Sequence, residues 1–436
     1  MFTRVPQVVC VPRHTRVGRT VLAAGLLIFA LGLVTLRVTE LAGLDVLRGA
    51  QRFHGFRQSI YYPAAAFLDG VNPYDIGTYT HVYPTDFFPM YSPLTLLVHM
   101  PLGLLPVETS SLVYFGLNVS LMFLLALLLL HMNGRDAGAA ELFGIGALLL
   151  LSRPGHMTLV LGQSAIETVV AACVALHCAR TRPWLAGMAL ALTTFKPTLG
   201  VPLALLLACR RDWRAVIIGV AVAGVLTGVA TARLAFEAGG LQPLLASMSA
   251  TNAATEANAA VNLNSAWARV DAIALLARLA GHVPGTTATI AICVLVLGLG
   301  GLAVHKLSIV RDVRTQWLSD SVICLTVLIC SYHQVYDVLL LAVPLTGLVL
   351  SPRNLDAWPI RWTLLALFAL PAVNYVASAG VINALGITGL SWRVVTSANG
   401  AALLAAWLIV VDGALRGPAP ARVPVYHRTA RVTGVG

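Results

Sequence analysis

Apolar runs separated by short polar or basic breaks recur along the whole chain, the pattern of successive transmembrane helices. They predict about twelve spans, at roughly 20–39, 108–131, 138–152, 164–179, 184–195, 197–209, 214–235, 286–305, 317–331, 335–350, 361–377 and 394–411. Several fall short of the ~20 residues that a bilayer crossing takes, so half-spans or tilted pairs are expected among them. The stretch 92–105 is too short and too proline-rich to cross alone, and reads as a re-entrant or interfacial helix leading into the second span. The expected fold class is all-α: a polytopic membrane protein with a long extracytoplasmic first loop.

Composition agrees with this pattern. Charged residues make up 11% of the 436 positions, under half the share of a soluble protein, and mean hydropathy is +0.82. The first run follows Arg4, Arg13, Arg16 and Arg19, and no small-x-small cleavage site comes after it, so it reads as a signal anchor. A net charge of +11 raises nucleic acid as a partner, but the basic residues gather in short loops beside apolar runs, where they set topology. "HMNGRDAG", "ARTRP", "CRRDWR", "HKLSIVRDVR" and "SPRN" all contain Arg or Lys, and all fall on one side if the span count is even. Both termini are then cytoplasmic. The expected division is a basic segment 1–19, one transmembrane domain 20–412 containing the extracytoplasmic loop 40–107, and a basic, disordered tail 413–436. Cys173, Cys178, Cys209, Cys293, Cys324 and Cys330 lie in or at the ends of apolar runs without C-x-x-C spacing, as small packing residues do. No metal-type spacing of His and Cys occurs, and no cofactor is expected.

The opposite face collects polar residues at the edges of apolar runs: Arg153, His156, Gln163, Glu167, Lys196, His333 and Asp337. Ionisable groups near lipid are expensive and tend to face a functional cavity. Lys196 directly precedes Pro197, which restricts it to extended geometry and breaks the helix there. Such a lysine holds a phosphate as a point charge or snorkels to the headgroups. Arg153 is suited to fork a phosphate and Gln163 to bind sugar hydroxyls, with interfacial anchoring as the plainer reading. His333 and Asp337, four apart, share a face if the helix starts early enough, either as base and orienter or as a self-satisfied packing pair. The first loop carries Glu40, Asp45, Asp69, Asp75 and Asp86, and its "GVNPYD" is a turn by composition. Its tyrosines suit an interfacial belt or sugar stacking. A Walker-type phosphate loop, a D-x-D pair and a G-x-S-x-G elbow are all missing from the sequence.

The succession "YYPAAAFLDGVNPYD", "YPTDFFPMYSPLTLLVHMPLGLLP", "LGQSAIETVVAACVAL" and "AGMALALTTFKPTLGVPLALLL" resembles glycosyltransferase family 87, polytopic enzymes of the GT-C type. "NLNSAWAR" (262–269) and "SYHQVYDVLLL" (331–341) resemble later landmarks of that family. The resemblance implies transfer of a sugar, with mannose favoured by analogy, from a polyprenyl-phosphate donor to a lipid or glycan acceptor on the extracytoplasmic face of a bacterial plasma membrane. It implies donor-phosphate roles for Lys196 and Arg153. Tyr61, Tyr62, Asn72, Tyr74, His156, Gln163, Asn264 and Ser265 would line the substrate site, and His333 and Asp337 would close it. Family members carry a catalytic aspartate shortly before the paired tyrosines. Here "RFHGFRQSIYY" puts Gly55 or Arg57 in that place, and no carboxylate occurs from 46 to 68. Asp75, Asp45 and His54 are the local candidates for the base, with Asp69 beside them and Asp337 a remote one. A transfer-inactive member is the alternative within the family. A secondary transporter or lipid flippase is the alternative outside it, disfavoured by the absence of an internal repeat and by the polar groups gathering on one face.

Overall fold

The computed structural model describes residues 13–39, 53–86, 88, 91–258, 262–263, 265–309, 313–351 and 358–416. Among these the chain is helical throughout, its one β feature being an isolated antiparallel bridge between Arg269 and Gln334. Helix α1 (Arg13–Thr39) leads into the first loop. That loop contains α2 (His54–Phe56), a π turn over Arg57–Tyr61, α3 (Tyr62–Leu68), α4 (Ile76–Val82) and α5 (Leu94–Gly103). Next come α6 (Val107–Met132), α7 (Ala139–Leu151), α8 (Arg153–Leu161), α9 (Ala165–Cys178), α10 (Pro183–Thr193), α11 (Pro197–Cys209) and α12 (Trp213–Glu237). A connecting region holds α13 (Leu241–Ala257) and α14 (Ala272–Ala280). The chain ends with α15 (Thr286–Ile309), α16 (Val313–Cys330), a 3-10 helix over Val335–Leu341, α17 (Ala342–Leu350), α18 (Trp358–Val373), α19 (Ala379–Ala384) and α20 (Gly389–Arg416).

Every predicted apolar run is a helix, but the runs are not equal. Among the described residues six helices are long and apolar enough to cross a membrane, and a seventh span results if α7 and α8, bent by 71° at Ser152, are taken together. The remaining apolar helices are shorter pieces of 10–17 residues, α5 and α9 to α11 among them. Large apolar side chains stay exposed on the long helices, for example Leu22, Ile28, Ile217 and Val294, as in segments that face hydrocarbon. The protein is therefore all-helical and multi-pass. The predicted short helix at 92–105 is α5, with Pro101 inside it, and Gly103 lies against the backbone of Ala64 and Ala65 in α3.

Local chemistry sets the breaks. At α7–α8, Ser152 leaves helical geometry and its hydroxyl accepts the Gly155 amide at 3.2 Å, an N-cap. Gly155 is required there, because a Cβ would sit 1.9 Å from the Leu149 carbonyl oxygen. At α10–α11, Lys196 adopts φ −106°, ψ 97° ahead of Pro197, which opens α11 at its first position. The main core runs through α6, α9, α11, α16 and α20, and a separate aromatic cluster of Phe67, Tyr74, Tyr79 and Phe88 packs the first loop onto α12 and α13.

Candidate active site

The α10–α11 break is where distant parts of the chain meet. The Phe195 carbonyl, freed by the break, accepts the Ser92 amide at 3.1 Å and the Thr95 hydroxyl at 3.5 Å, so the end of the first loop docks directly on it. Lys196 is turned inward and buried. Its ammonium lies over the rings of Tyr336 (5.1 Å) and Tyr332 (5.6 Å) and donates to Asp337 Oδ2.

Asp337 occupies the third position of the 3-10 helix, and its Oδ2 also accepts the Gln334 amide at 2.9 Å, closing a capping box. His333 Nδ1 lies 3.2 Å from the same oxygen, while Nε2 lies 3.3 Å from the Thr198 carbonyl. His333 and Asp337 thus meet although no helical turn joins them, since the helix starts only at Val335 and the cap provides the approach. Their segment is fastened to the end of "NLNSAWAR" and the valine after it by two bonds, Val335 N to Ala268 O (2.9 Å) and Val270 N to His333 O (3.0 Å). This places the Arg269 guanidinium 4.8 Å from the Tyr332 ring centre, with its fork on Asp271 at 2.9 and 3.0 Å. Asp271 in turn caps α14 through the Ala274 amide.

Several buried polar atoms around the break have no partner among the described residues: Asp337 Oδ1, Thr198 Oγ1, Ser92 Oγ and Glu167 Oε1. Glu167 Oε2 is paired with His99 Nε2 at 3.0 Å, and the His99 ring lies 5.3 Å from that of Phe195. Tyr91, beside Ser92, stands in the field of Asp337 and Glu167. Burial, with those charges added, pushes its hydroxyl pKa up, so it remains a neutral O–H donor. Tyr332 is pushed up chiefly by burial, with Arg269 pulling the other way. Two cations, three carboxylates and three phenols therefore surround one helix break.

The other predicted residues fall into three groups. Arg153 is fully buried, but its fork is taken by the carbonyls of Asn374 (2.8 Å) and Ala377 (2.6 Å), with the Trp267 ring 5.5 Å away. Arg37 donates to His156 Nε2 at 3.1 Å. Gln163 packs its amide against Gly55, where a Cβ would stand 2.2 Å from Nε2. That contact, with Phe53 N bonding to Val160 O at 2.9 Å, seats the start of the first loop on the α8–α9 turn.

In the first loop Tyr61 donates to the Leu105 carbonyl (2.8 Å), and Tyr62 packs edge-on against it. Asn72 accepts the Tyr74 amide at 3.0 Å, the turn expected from "GVNPYD". Tyr74 is buried and donates to the Tyr91 carbonyl at 2.5 Å, so it supports the loop end that reaches the break. Asp75 accepts the Thr78 hydroxyl at 2.7 Å and Asp69 accepts Tyr83 at 2.5 Å, both at the loop surface and, among the described residues, both bonded only within the loop. His54 is half-buried, and desolvation lowers its pKa against the opposing charge of Asp86. Arg57 pairs with Glu108 at 2.9 Å. Ser265 follows a turn, its amide bonded to Asn262 O at 3.3 Å. Asp45 and Asn264 lie outside the described residues.

Lys196, His333 and Asp337 are thus brought together, whereas Asn72, Tyr74 and Asp75 are not gathered with them. Among the participants missed from sequence as site residues are Arg269, Asp271, Tyr91, Tyr332 and Tyr336. A signal for the first two was present, since Arg-x-Asp directly before the apolar run "AIALLARLA" marks both a short-range ion pair and a helix cap. No curated protein and no solved structure matches the chain. A sequence model of glycosyltransferase family 87 matches residues 88–331, which include the Lys196 break, Arg153, Gln163 and Arg269 but not the first part of the loop or Asp337. With more than half of its length so matched, the chain belongs to glycosyltransferase family 87.

Proposed function

We propose that this membrane glycosyltransferase moves a hexose, mannose by preference, from a polyprenyl-phosphate-linked donor to a lipid or glycan acceptor on the extracytoplasmic face of the plasma membrane. It does so as one GT-C type domain over residues 20–412, with both termini cytoplasmic. The observation that carries this reading is the helix break at Lys196, where a buried cation, aromatic rings and unpartnered polar atoms converge at the edge of an apolar bundle.

In the reaction the acceptor hydroxyl oxygen bonds to the anomeric carbon while the bond from that carbon to the phosphate oxygen breaks. Negative charge grows on the departing polyprenyl phosphate, and Lys196, supported by Arg269, neutralises it electrostatically. The hydroxyl proton passes to a carboxylate. Asp337 takes this role in our reading: Lys196, the Gln334 amide and His333 surround Oδ2, and Oδ1 has no partner among the described residues. Tyr91 and Tyr332 contribute donors and ring faces for the sugar. Arg153 and Gln163 act by positioning, one on the 374–377 backbone and the other beneath the first loop.

One observation favours a second reading, a chain that binds the carrier lipid without transferring its sugar. Of the two positions where the family resemblance leads one to look for an aspartate, Gly55 is closed off by Gln163 and Arg57 is an arginine paired with Glu108. Purified protein in lipid vesicles, given radiolabelled polyprenyl-phosphate mannose and a crude lipid-acceptor extract, separates the two. Label in a new lipid species supports transfer. Donor binding without transfer supports the second reading, and absence of donor binding sinks both.

A further inference from the structure

The end of the bundle opposite the Lys196 break holds a second polar site. Lys196 stands at the start of α11 and Arg210 just after its end, about 20 Å apart at 1.5 Å per residue. At the Arg210 end, a cavity of about 1080 Å³ opens among the α9–α10 turn, the α11–α12 turn, the end of α15 and the start of α16. Arg180, Arg210, Arg211 and Arg214 line it against one carboxylate, Asp212.

Part of this wall is rigid and part is uncommitted. Arg210 is buried and fully used: Nε on Asp212, Nη1 on Asp320 at 2.8 Å, Nη2 on the Leu176 carbonyl at 3.0 Å. Arg180 also leans on Asp212, at 3.3 Å. Arg211 and Arg214 are exposed, and neither has a carboxylate partner among the described residues. Ser319, only 5% exposed, lines the same cavity, and its Oγ has no partner among the described residues.

Helix ends add to the positive field. α10 and α12 both begin at the cavity without a side-chain cap among the described residues: Arg182 before α10 offers no acceptor, and the Asp212 carboxylate before α12 is held by arginines. Free helix amides beside guanidinium groups and a hydroxyl make a phosphate site. Arg211 itself sits at φ +70°, in the position after a helix end where glycine is the default. The depth of the site indicates the source of the phosphate. Trp184 and Trp213, in the first turns of α10 and α12, are 63% and 56% exposed, the placement of tryptophans at headgroup level. Beyond them Met188 and Ile217 continue an exposed apolar surface.

We propose that this cavity binds the phosphate headgroup of an anionic phospholipid, one lipid per chain, on the face of the membrane opposite the transfer site. Native mass spectrometry of the delipidated full-length protein tests it, by titration with phosphatidylglycerol, with phosphatidylcholine and with sodium pyrophosphate. One phosphatidylglycerol is expected to be retained with no matching step for phosphatidylcholine. Arg211→Gly and Arg214→Gln should each weaken it about fivefold, and together on the order of 25-fold. Arg211→Gly relieves the backbone at its positive φ, so its lipid-free melting temperature should equal or exceed that of the parent, which separates lost binding from lost folding. Equal retention of both lipids, or undiminished phosphatidylglycerol binding in the double variant, overturns the proposal. Pyrophosphate binding that depends on Arg211 and Arg214, with no lipid preference, would assign the site to a soluble phosphate and overturn the lipid. Sugar transfer is not part of the readout, so the outcome is independent of the reaction proposed above.

Discussion

Lys196 and Asp337 stand 141 positions apart in the chain and share one buried ion pair, their side chains 6% and 1% exposed. Two charges taken out of water are held only if each is satisfied. Here the carboxylate oxygen has the ammonium, a backbone amide and an imidazole around it, while the ammonium has two aromatic faces. The pair ties the α10–α11 break to the 3-10 helix and fixes both against the end of the first loop.

Breaking this pair from one side should cost far more than removing it whole. Lys196→Met or Asp337→Leu alone is expected to destabilise the protein by about 3–5 kcal/mol, and the double variant by much less. Thermal unfolding in detergent, arranged as a double-mutant cycle, measures the difference. Additive effects would show that the two residues do not depend on each other.

The Gly55–Gln163 contact predicts a suppressor. Gly55→Ala places a methyl group 2.2 Å from the Gln163 amide and should lower stability by about 1–3 kcal/mol. Gln163→Ala in the same chain should restore most of it. If Gly55→Ala is neutral by itself, the first loop does not sit on the α8–α9 turn as described.

Arg153 holds two carbonyls with one planar fork, which a lysine cannot reproduce. Arg153→Lys should cost about 1–3 kcal/mol through the carbonyl left unpaired. Proteolysis near residues 374–377 should become faster. A variant that loses donor affinity but no stability would instead place Arg153 on the donor phosphate.

His54 predicts a pH dependence. Its folded pKa lies below the ordinary 6.5 because burial disfavours the imidazolium, an effect that Asp86 only partly offsets. Below 6.5 the unfolded chain takes up a proton that the folded chain does not. The stabilisation from this group is therefore complete above 6.5 and is lost as pH falls below it. Melting temperatures from pH 8 to 5 should decline less steeply in His54→Gln than in the parent; identical slopes would remove His54 from the account. Were His54 the base, the transfer rate would also rise with pH through an apparent pKa below 6.5.

The helices were legible from the sequence because hydropathy is a local signal: the run at 108–131 is Val107–Met132, and that at 286–305 is Thr286–Ile309. Their number as spans was less legible. A run such as 184–195 is apolar enough to be noticed, but the helix it forms, Pro183–Thr193, is shorter than the bilayer crossing that the count assumed. The Lys196 break could be read from Pro197 alone. Its partner could not, since nothing local in "SYHQVYD" says which cation Asp337 will meet. The fork of Arg153 illustrates the converse. A basic residue at the end of an apolar run looks like a ligand site, yet the carbonyls left open around Asn374 claim it first, a demand visible only once the chain is folded.

The proposed reaction depends on Lys196 and Asp337 acting in transfer. The decisive measurement is the initial rate of release of free polyprenyl phosphate from the labelled mannose donor, in vesicles containing wild-type protein, Lys196→Gln or Asp337→Asn. The account predicts release coupled to labelled acceptor in the wild type and a fall of at least ~100-fold in kcat for each variant, on the order of 3 kcal/mol of lost transition-state stabilisation. Wild-type rates in either variant, with the protein still folded, would contradict it.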